Sequence, residues 1–258
     1  MELNKNQLER YKRHIMLLNI GIRGQEKILN GKVLIIGMGG LGSSVGLYLA
    51  SAGVGTIGIA DYDNVEISNL QRQIIHFTSD IGKKKVLSAK EKIEQLNPDV
   101  KVVMYAEKVK ADNIAEMVKG FDFIVDATDN FAAKFLINDA CVLGGKPFSH
   151  GGVVGFDGQT MTYLPGTTCY RCIFKAPPVE VVSPENTAPG VVGTIPGMLG
   201  TIQATEAIKY ILGIGELLTD RFFIYESLRM KFRTIETRKN SNCPICAEGA
   251  TIKKLFDE

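Results

Sequence analysis

The residues with the clearest chemical potential fall in one stretch. Gly37, Gly39 and Gly42 form a G-x-G-x-x-G pattern with Gly40 inside it. Glycines at this spacing let backbone N–H groups approach a phosphate, and the N-terminus of a following helix favours anions. Asp61 closes the next apolar run, where an acid can accept hydrogen bonds from ribose hydroxyls. Just beyond it crowd Asp63, Ser68, Asn69, Leu70, Gln71, Arg72 and Gln73. A dinucleotide site has no evident use for a second acid, an Asn, a Gln and an Arg at this place, whereas a triphosphate site does. Arginine offers phosphate a planar fork of donors, Asn and Gln hold orientation, and acids position a hydrated Mg²⁺. A second constellation is built from thiols, Cys169-Tyr-Arg-Cys172 and Cys243-Pro-Ile-Cys246. Two C-x-x-C pairs in a reducing compartment read as a tetrahedral Cys₄ zinc site, structural because four thiolates leave no open position for water. A redox pair is the rival reading, but redox C-x-x-C motifs do not usually come in twos.

These residues need elements to hold them. Residues 33–36 form a short apolar run suited to a buried strand, 41–52 a helix and Thr56–Ala60 a second strand, the order of a βαβ nucleotide-binding unit. Upstream, apolar residues at Leu8, Tyr11, Ile15 and Leu18 predict one helix over 3–18, with Arg13 on its polar side. A helix is expected over 80–97, striped by Ile81, Val86, Ala89, Ile93 and Leu96 and stopped by Pro98. Lys83, Lys84 and Lys85 near its start oppose the helix dipole, a conflict that a nearby anionic ligand would resolve.

A strand over 100–105, a short helix over 113–118 and a buried strand over 121–125 follow, the last ending at Asp126. Asp129 precedes the helix Phe131–Leu143 and reads either as a ligand acid or as its N-cap. Consecutive strands over 147–153 and 159–163 predict an antiparallel extension of the sheet. A long mobile crossing loop is expected over 176–192, then the helix Thr194–Leu212 and a strand pair over 222–226 and 230–237. His150 lies in Ser-His-Gly-Gly without a G-x-S-x-G elbow and reads as a satisfied structural histidine, while His14 and His76 have no companions at catalytic or metal spacing.

The expected fold class is α/β: a Rossmann-like, mostly parallel sheet with helices on both faces, an antiparallel extension and a Cys₄ zinc knuckle. One domain is expected over 1–258, with a nucleotide-binding half at about 1–145 and a second half at about 146–258. At 258 residues, 45% hydrophobic, the chain can bury a sizeable core. A net charge of +2 shows no bias toward polyanions, so nucleic acid is not an expected partner. No window reaches the roughly 18 apolar residues of a spanning helix. The N-terminal MELNKNQLERYKRHIML lacks the apolar region of a signal peptide, so no membrane role and a cytoplasmic location are expected.

GMGGLG, DYDNVEISNLQRQ, KKKV, DATDN, CYRC and CPIC occur in this order between about Tyr11 and Cys246. With them the chain resembles the ThiF/MoeB/HesA family, bacterial relatives of ubiquitin-activating enzymes. The resemblance implies an adenylyltransferase that uses ATP with Mg²⁺. The C-terminal glycine of a ubiquitin-like sulfur carrier protein ending in Gly-Gly, of the ThiS or MoaD kind, attacks the α-phosphorus and gives an acyl adenylate and pyrophosphate. A separate sulfurtransferase then makes the thiocarboxylate, in thiamine or molybdopterin biosynthesis.

The same resemblance assigns Lys85 to the phosphates and Asp129, with Asn130 beside it, to the metal or the ribose–phosphate edge. Arg13 reaches the partner subunit's nucleotide site, which implies a homodimer. Arg13, Arg72, Lys85 and Asp129 form the expected catalytic set. Adenylation in amino-acid sulfur transfer, tRNA modification or peptide tailoring is an alternative, and an NAD-dependent dehydrogenase rests only on the glycine turn and Asp61. Larger relatives carry a cysteine in the crossing loop, whereas 179–187 reads VEVVSPENT here. The chemistry is therefore expected to stop at the adenylate, with Cys141 a buried, inert thiol in its helix.

Overall fold

Residues 2–176 and 190–257 are described in a computed structural model of the chain. The expected helix over 3–18 is two short ones, α1 (Lys5–Arg10) and α2 (Lys12–Ile15), and Tyr11 is where it breaks. Tyr11 is only 2% exposed; its ring lies against Gly53 and its hydroxyl accepts from Asn97 Nδ2 at 2.8 Å. Anchoring that side chain in the core outweighs continuing a solvent-facing helix. A further helix, α3 (Gly21–Asn30), follows in a stretch whose sequence gave no reading.

The βαβ unit forms as expected: β1 (Lys32–Ile36), α4 (Gly40–Ala52) and β2 (Thr56–Ala60). Gly53, in the left-handed region at φ 84°, closes α4. α5 (Lys85–Leu96) starts five residues later than the apolar stripe predicts. The cause is local: residues 78–80 form a 3₁₀ turn, Gly82 has φ 86°, and Lys84 is non-helical at φ −56°, ψ 132°. After β3 (Lys101–Tyr105) come α6 (Ile114–Lys119), β4 (Phe123–Asp126) and α7 (Phe131–Leu143). Then follow β5 (Phe148–Val154), β6 (Asp157–Tyr163), α8 (Tyr170–Ile173), α9 (Thr194–Leu212), β7 (Arg221–Glu226) and β8 (Lys231–Glu236). Most of the expected crossing loop, from 177 to 189, lies outside the described residues.

The strands make one eight-stranded sheet in the order β3-β2-β1-β4-β5-β6-β7-β8. β3 through β5 pair in parallel and β5 through β8 antiparallel, which is the expected extension. Alternation along β1 sorts the core into two faces. Val33 and Ile35 join Val45, Leu49, Ile93, Leu199 and Ala207 beneath α4, α5 and α9. Leu34 and Ile36 join Met117, Phe135, Ile137, Cys141 and Tyr170 beneath α6, α7 and α8. The parallel strands β1 and β4 are thus buried on both sides and read as unbroken apolar runs.

Candidate active site

β1 lies between β2 and β4, so the chain's connections diverge there. A crevice outside the carboxyl ends of the strands is expected at such a switch point. It is present as a cleft of about 440 Å³, and Gly37, Gly39, Gly40, Asp61, Asp63, Arg72, Lys85, Asp129 and Asn130 all line it. Gly37 has φ 97°, and a Cβ there would sit 2.6 Å from the Ala127 carbonyl oxygen at the end of β4. Gly42 does not line the cleft; a side chain there would collide with the Gly37 carbonyl oxygen. It is the glycine that lets the helix pack beneath the turn. Gly39 caps α4 without any side-chain hydrogen bond, so the first N–H groups of the helix face the cleft without a side-chain acceptor.

Asp61 braces this turn. Its Oδ2 accepts from the Met38 N–H at 2.7 Å and its Oδ1 from the Asp63 N–H at 2.9 Å. Burial pushes its pKa up, against the opposing pull of Lys85 and these two bonds. Lys85, nearly buried at the first turn of α5, holds Asp63 Oδ2 at 2.8 Å. Arg72 is held from behind, its Nη1 donating to the Ser68 carbonyl at 3.0 Å.

Ser68, Asn69, Leu70 and Gln71 lie on the adjoining turn, outside the cleft lining. Asn69 Oδ1 accepts from the Glu66 N–H at 3.2 Å, and Gln71 Nε2 donates to the Val191 carbonyl at 3.3 Å. Across the cleft, Asn130 caps α7 by accepting from the Ala133 N–H at 2.9 Å. Asp129 is therefore not the cap, and its exposed carboxylate stands on the cleft rim. Arg13 is exposed on α2 and does not line the cleft of its own chain.

The cleft rests on a buried charge cluster that sequence reasoning missed. Asp126 Oδ1 accepts from Thr128 N and Oγ1 at 3.1 and 2.6 Å, and Oδ2 accepts from His150 Nδ1 at 2.8 Å. Lys134 Nζ reaches Asp126 Oδ2 at 3.4 Å and donates to the Thr128 and Gly151 carbonyls, both at 2.6 Å. Burial alone would raise the Asp126 pKa, but Lys134, His150 and Thr128 outweigh it and hold it at about 2. His150 was expected to be a satisfied structural histidine; Nδ1 is held by Asp126, but the buried Nε2 has no hydrogen-bond partner among the described residues. Burial pushes its own pKa down. The one available signal was Lys134 itself, a lysine inside the apolar stretch FAAKFLIN.

The four knuckle thiols meet on the sheet face covered by α7 and α8, with every Sγ within 4.8 Å of the others. Cys169 Sγ lies 3.8, 3.6 and 3.6 Å from Cys172, Cys243 and Cys246, and Cys172 lies 3.4 Å from Cys246. A tetrahedron with Zn–S bonds of about 2.3 Å has edges of about 3.8 Å, so the donor set fits that ion. Hydrogen bonding to its neighbours pushes the Cys169 thiol pKa far up, the cost of crowding thiols that a cation would relieve. Cys141 is fully buried, and burial pushes its thiol pKa well up.

A glycine turn at a switch point, faced by a lysine, an arginine and acids, defines a nucleotide-binding α/β domain. More narrowly, the ThiF family model matches residues 11–245, and the chain belongs to the ThiF family. It is 43% identical over 249 residues to the SAMP-activating enzyme E1 of Haloferax volcanii, covering 96% of this chain and 92% of that one. It is 39% identical over 263 residues to the sulfur carrier protein adenylyltransferase of Thermus thermophilus, covering 100% and 97%. Among solved structures, E. coli MccB with ATP superimposes with a TM-score of 0.80 at 26% identity, over 92% of this chain and 74% of that one. No helix among the described residues is long and apolar enough to cross a membrane.

Proposed function

We propose that this protein is an ATP-dependent adenylyltransferase that activates the C-terminal glycine of a ubiquitin-like sulfur carrier protein. The observation that carries the reading is the convergence of Gly37, Gly39, Gly40, Asp61, Arg72, Lys85 and Asp129 on one cleft. Of the relatives matched nearly end to end, the Thermus one is named a sulfur carrier protein adenylyltransferase and the Haloferax one a SAMP-activating enzyme E1, which supports this reading.

The N–H groups at the start of α4 and the cations of Lys85 and Arg72 take the phosphates, and Asp61 holds the turn that presents those N–H groups. The carrier carboxylate attacks the α-phosphorus in line with the departing pyrophosphate. The enzyme's part is positioning together with charge stabilisation of the leaving group. Asp129, an exposed carboxylate on the rim, is the residue fitted to hold Mg²⁺, which when bound neutralises phosphate charge. Arg13, which lies away from the cleft of its own chain, acts in the site of the partner subunit of a homodimer. Asn130 lines the cleft beside Asp129, whereas Ser68, Asn69, Leu70 and Gln71, expected to touch the nucleotide, lie outside its lining and act through the turn that carries Arg72. The Cys₄ cluster holds a structural zinc.

In this reading the chain is a single adenylating domain in the cytoplasm, and a separate sulfurtransferase converts its product for thiamine or molybdopterin synthesis. The structural likeness to MccB with MccA-N7isoASN, at a TM-score of 0.81 and 25% identity, favours a second reading in which a peptide supplies the carboxylate. The sequence relatives, at higher identity, favour the carrier. Pyrophosphate exchange into ATP that depends on a Gly-Gly carrier tests the proposal, and exchange driven only by a short peptide would replace it with the second reading.

A further inference from the structure

His76 had no companions in the sequence, yet in the fold it reaches the nucleotide turn. The ring is 3% exposed, with Nε2 3.0 Å from the Met38 carbonyl oxygen and Nδ1 2.9 Å from Ser88 Oγ. Met38 lies between Gly37 and Gly39 in the turn, and its N–H is the one held by Asp61 Oδ2. Both polar groups of that residue are therefore fixed, the N–H by Asp61 and the carbonyl by His76. Because Gly39 caps α4 without a side-chain bond, the direction of the N–H groups beyond it depends on how this peptide is held.

The donors assign the ring's state. A carbonyl oxygen only accepts, so Nε2 carries a proton. Burial, reinforced by Lys85 and Lys92, pushes the ring toward the neutral form against Asp80 and the bond to Met38. Ser88 Oγ lies beside Nδ1 and donates its own proton to Asp80 Oδ2 at 3.0 Å. Asp80 is held in turn by Lys92 at 2.5 Å, Lys83 at 3.2 Å and the Phe77 N–H at 2.9 Å. The far side of the ring is thus seated on a fixed cluster, while Nε2 faces the turn.

We propose that His76 is a positioning residue for nucleotide binding, whose Nε2–H locks the Met38 peptide and so aims the N–H groups of the glycine turn at the phosphates. Ser88 seats the other side of the ring. The inference rests on the adenylation reading above.

The test uses the full chain and ATP. Removing the donor in His76→Leu leaves a buried carbonyl unpaired and is expected to raise the ATP Kd by calorimetry about tenfold, with the folded spectrum kept. His76→Gln, which restores an N–H donor, is expected to recover most of the affinity. Ser88→Ala, which removes the partner of Nδ1, is expected to weaken ATP about threefold and serves if His76→Leu does not fold. Nitrogen NMR of the wild-type protein at neutral pH is expected to show Nε2 protonated. A ring bare at Nε2, or folded His76→Leu and Ser88→Ala proteins that bind ATP as the wild type does, overturns the inference alone. Wild-type protein that does not bind ATP overturns the adenylation reading, and the inference with it.

Discussion

Lys85 Nζ sits 2.8 Å from Asp63 Oδ2 on the wall of the cleft, the lysine almost buried and the aspartate side chain 47% exposed. In the proposed adenylation reading, an arriving phosphate competes with Asp63 for a cation already held in place. Lys85→Ala and Arg72→Ala are each expected to slow adenylation by roughly 10²–10³, the scale for removing one preorganised charge contact. Carrier-dependent pyrophosphate exchange reads the loss, and a change below tenfold would remove either residue from the phosphate site.

Arg13 gives a prediction with a different logic. Arg13→Ala alone is expected to be as damaging as Arg72→Ala. Mixing the two variants under subunit exchange is expected to restore activity, because each mixed dimer has one site with both arginines intact. Exchange that restores nothing places Arg13 outside the partner's site.

The Cys₄ cluster predicts about one tightly held zinc per chain, measured by elemental analysis of freshly reduced protein. Cys243 is 1% exposed among the other three thiols, so Cys243→Ser should lower the thermal midpoint far more than it changes ATP affinity. Metal-free, fully stable protein would end the assignment.

Asp126 carries a pH signature. Its folded pKa, about 2, is depressed below the ordinary 3.8. Its stabilisation is therefore present above 3.8 and lost as pH falls through about 2. Asp126→Asn should cost on the order of 2 kcal/mol at neutral pH, and urea unfolding should show that gap to the wild type closing in acid. A gap independent of pH would mean that the carboxylate's charge contributes nothing.

The five cysteines are all placed: four in the cluster and Cys141 fully buried in α7. Adenylation should therefore proceed without a reductant-sensitive enzyme–carrier conjugate. A conjugate on a non-reducing gel that disappears in Cys141→Ala would overturn this.

What was legible in the sequence was whatever chemistry is local. The turn Gly37–Gly42 announces itself because backbone approach needs glycine at fixed offsets, and α7 and α9 fall at the bounds their apolar patterns predict. Where tertiary anchoring beats local pattern, the reading slipped. Tyr11 breaks a helix by burying its ring, and Gly82 delays α5 despite an apolar stripe that began at Ile81. The cap of α7 passed to Asn130 because its side chain, not that of Asp129, reaches the Ala133 N–H. The Asp126–His150–Lys134 cluster left no sign beyond Lys134 because its members come from three elements and meet only when β4 and β5 pair. His76 was hidden for the same reason, its partner Met38 lying 38 residues away.

The cysteine pairs also set a clock on biosynthesis. Cys169 and Cys243 are 74 residues apart in the chain, and translation adds about 5–20 residues per second. For roughly 4–15 seconds a nascent chain carries the two thiols of the first knuckle without their partners, beside the cleft-forming strands already made. During that interval the first knuckle is open to oxidation or to scavenging of stray metal, and the last strands of the sheet reach their place untethered. With zinc as the ion proposed to close the cluster, a lack of it is expected to leave Cys243 and Cys246 untied from Cys169 and Cys172.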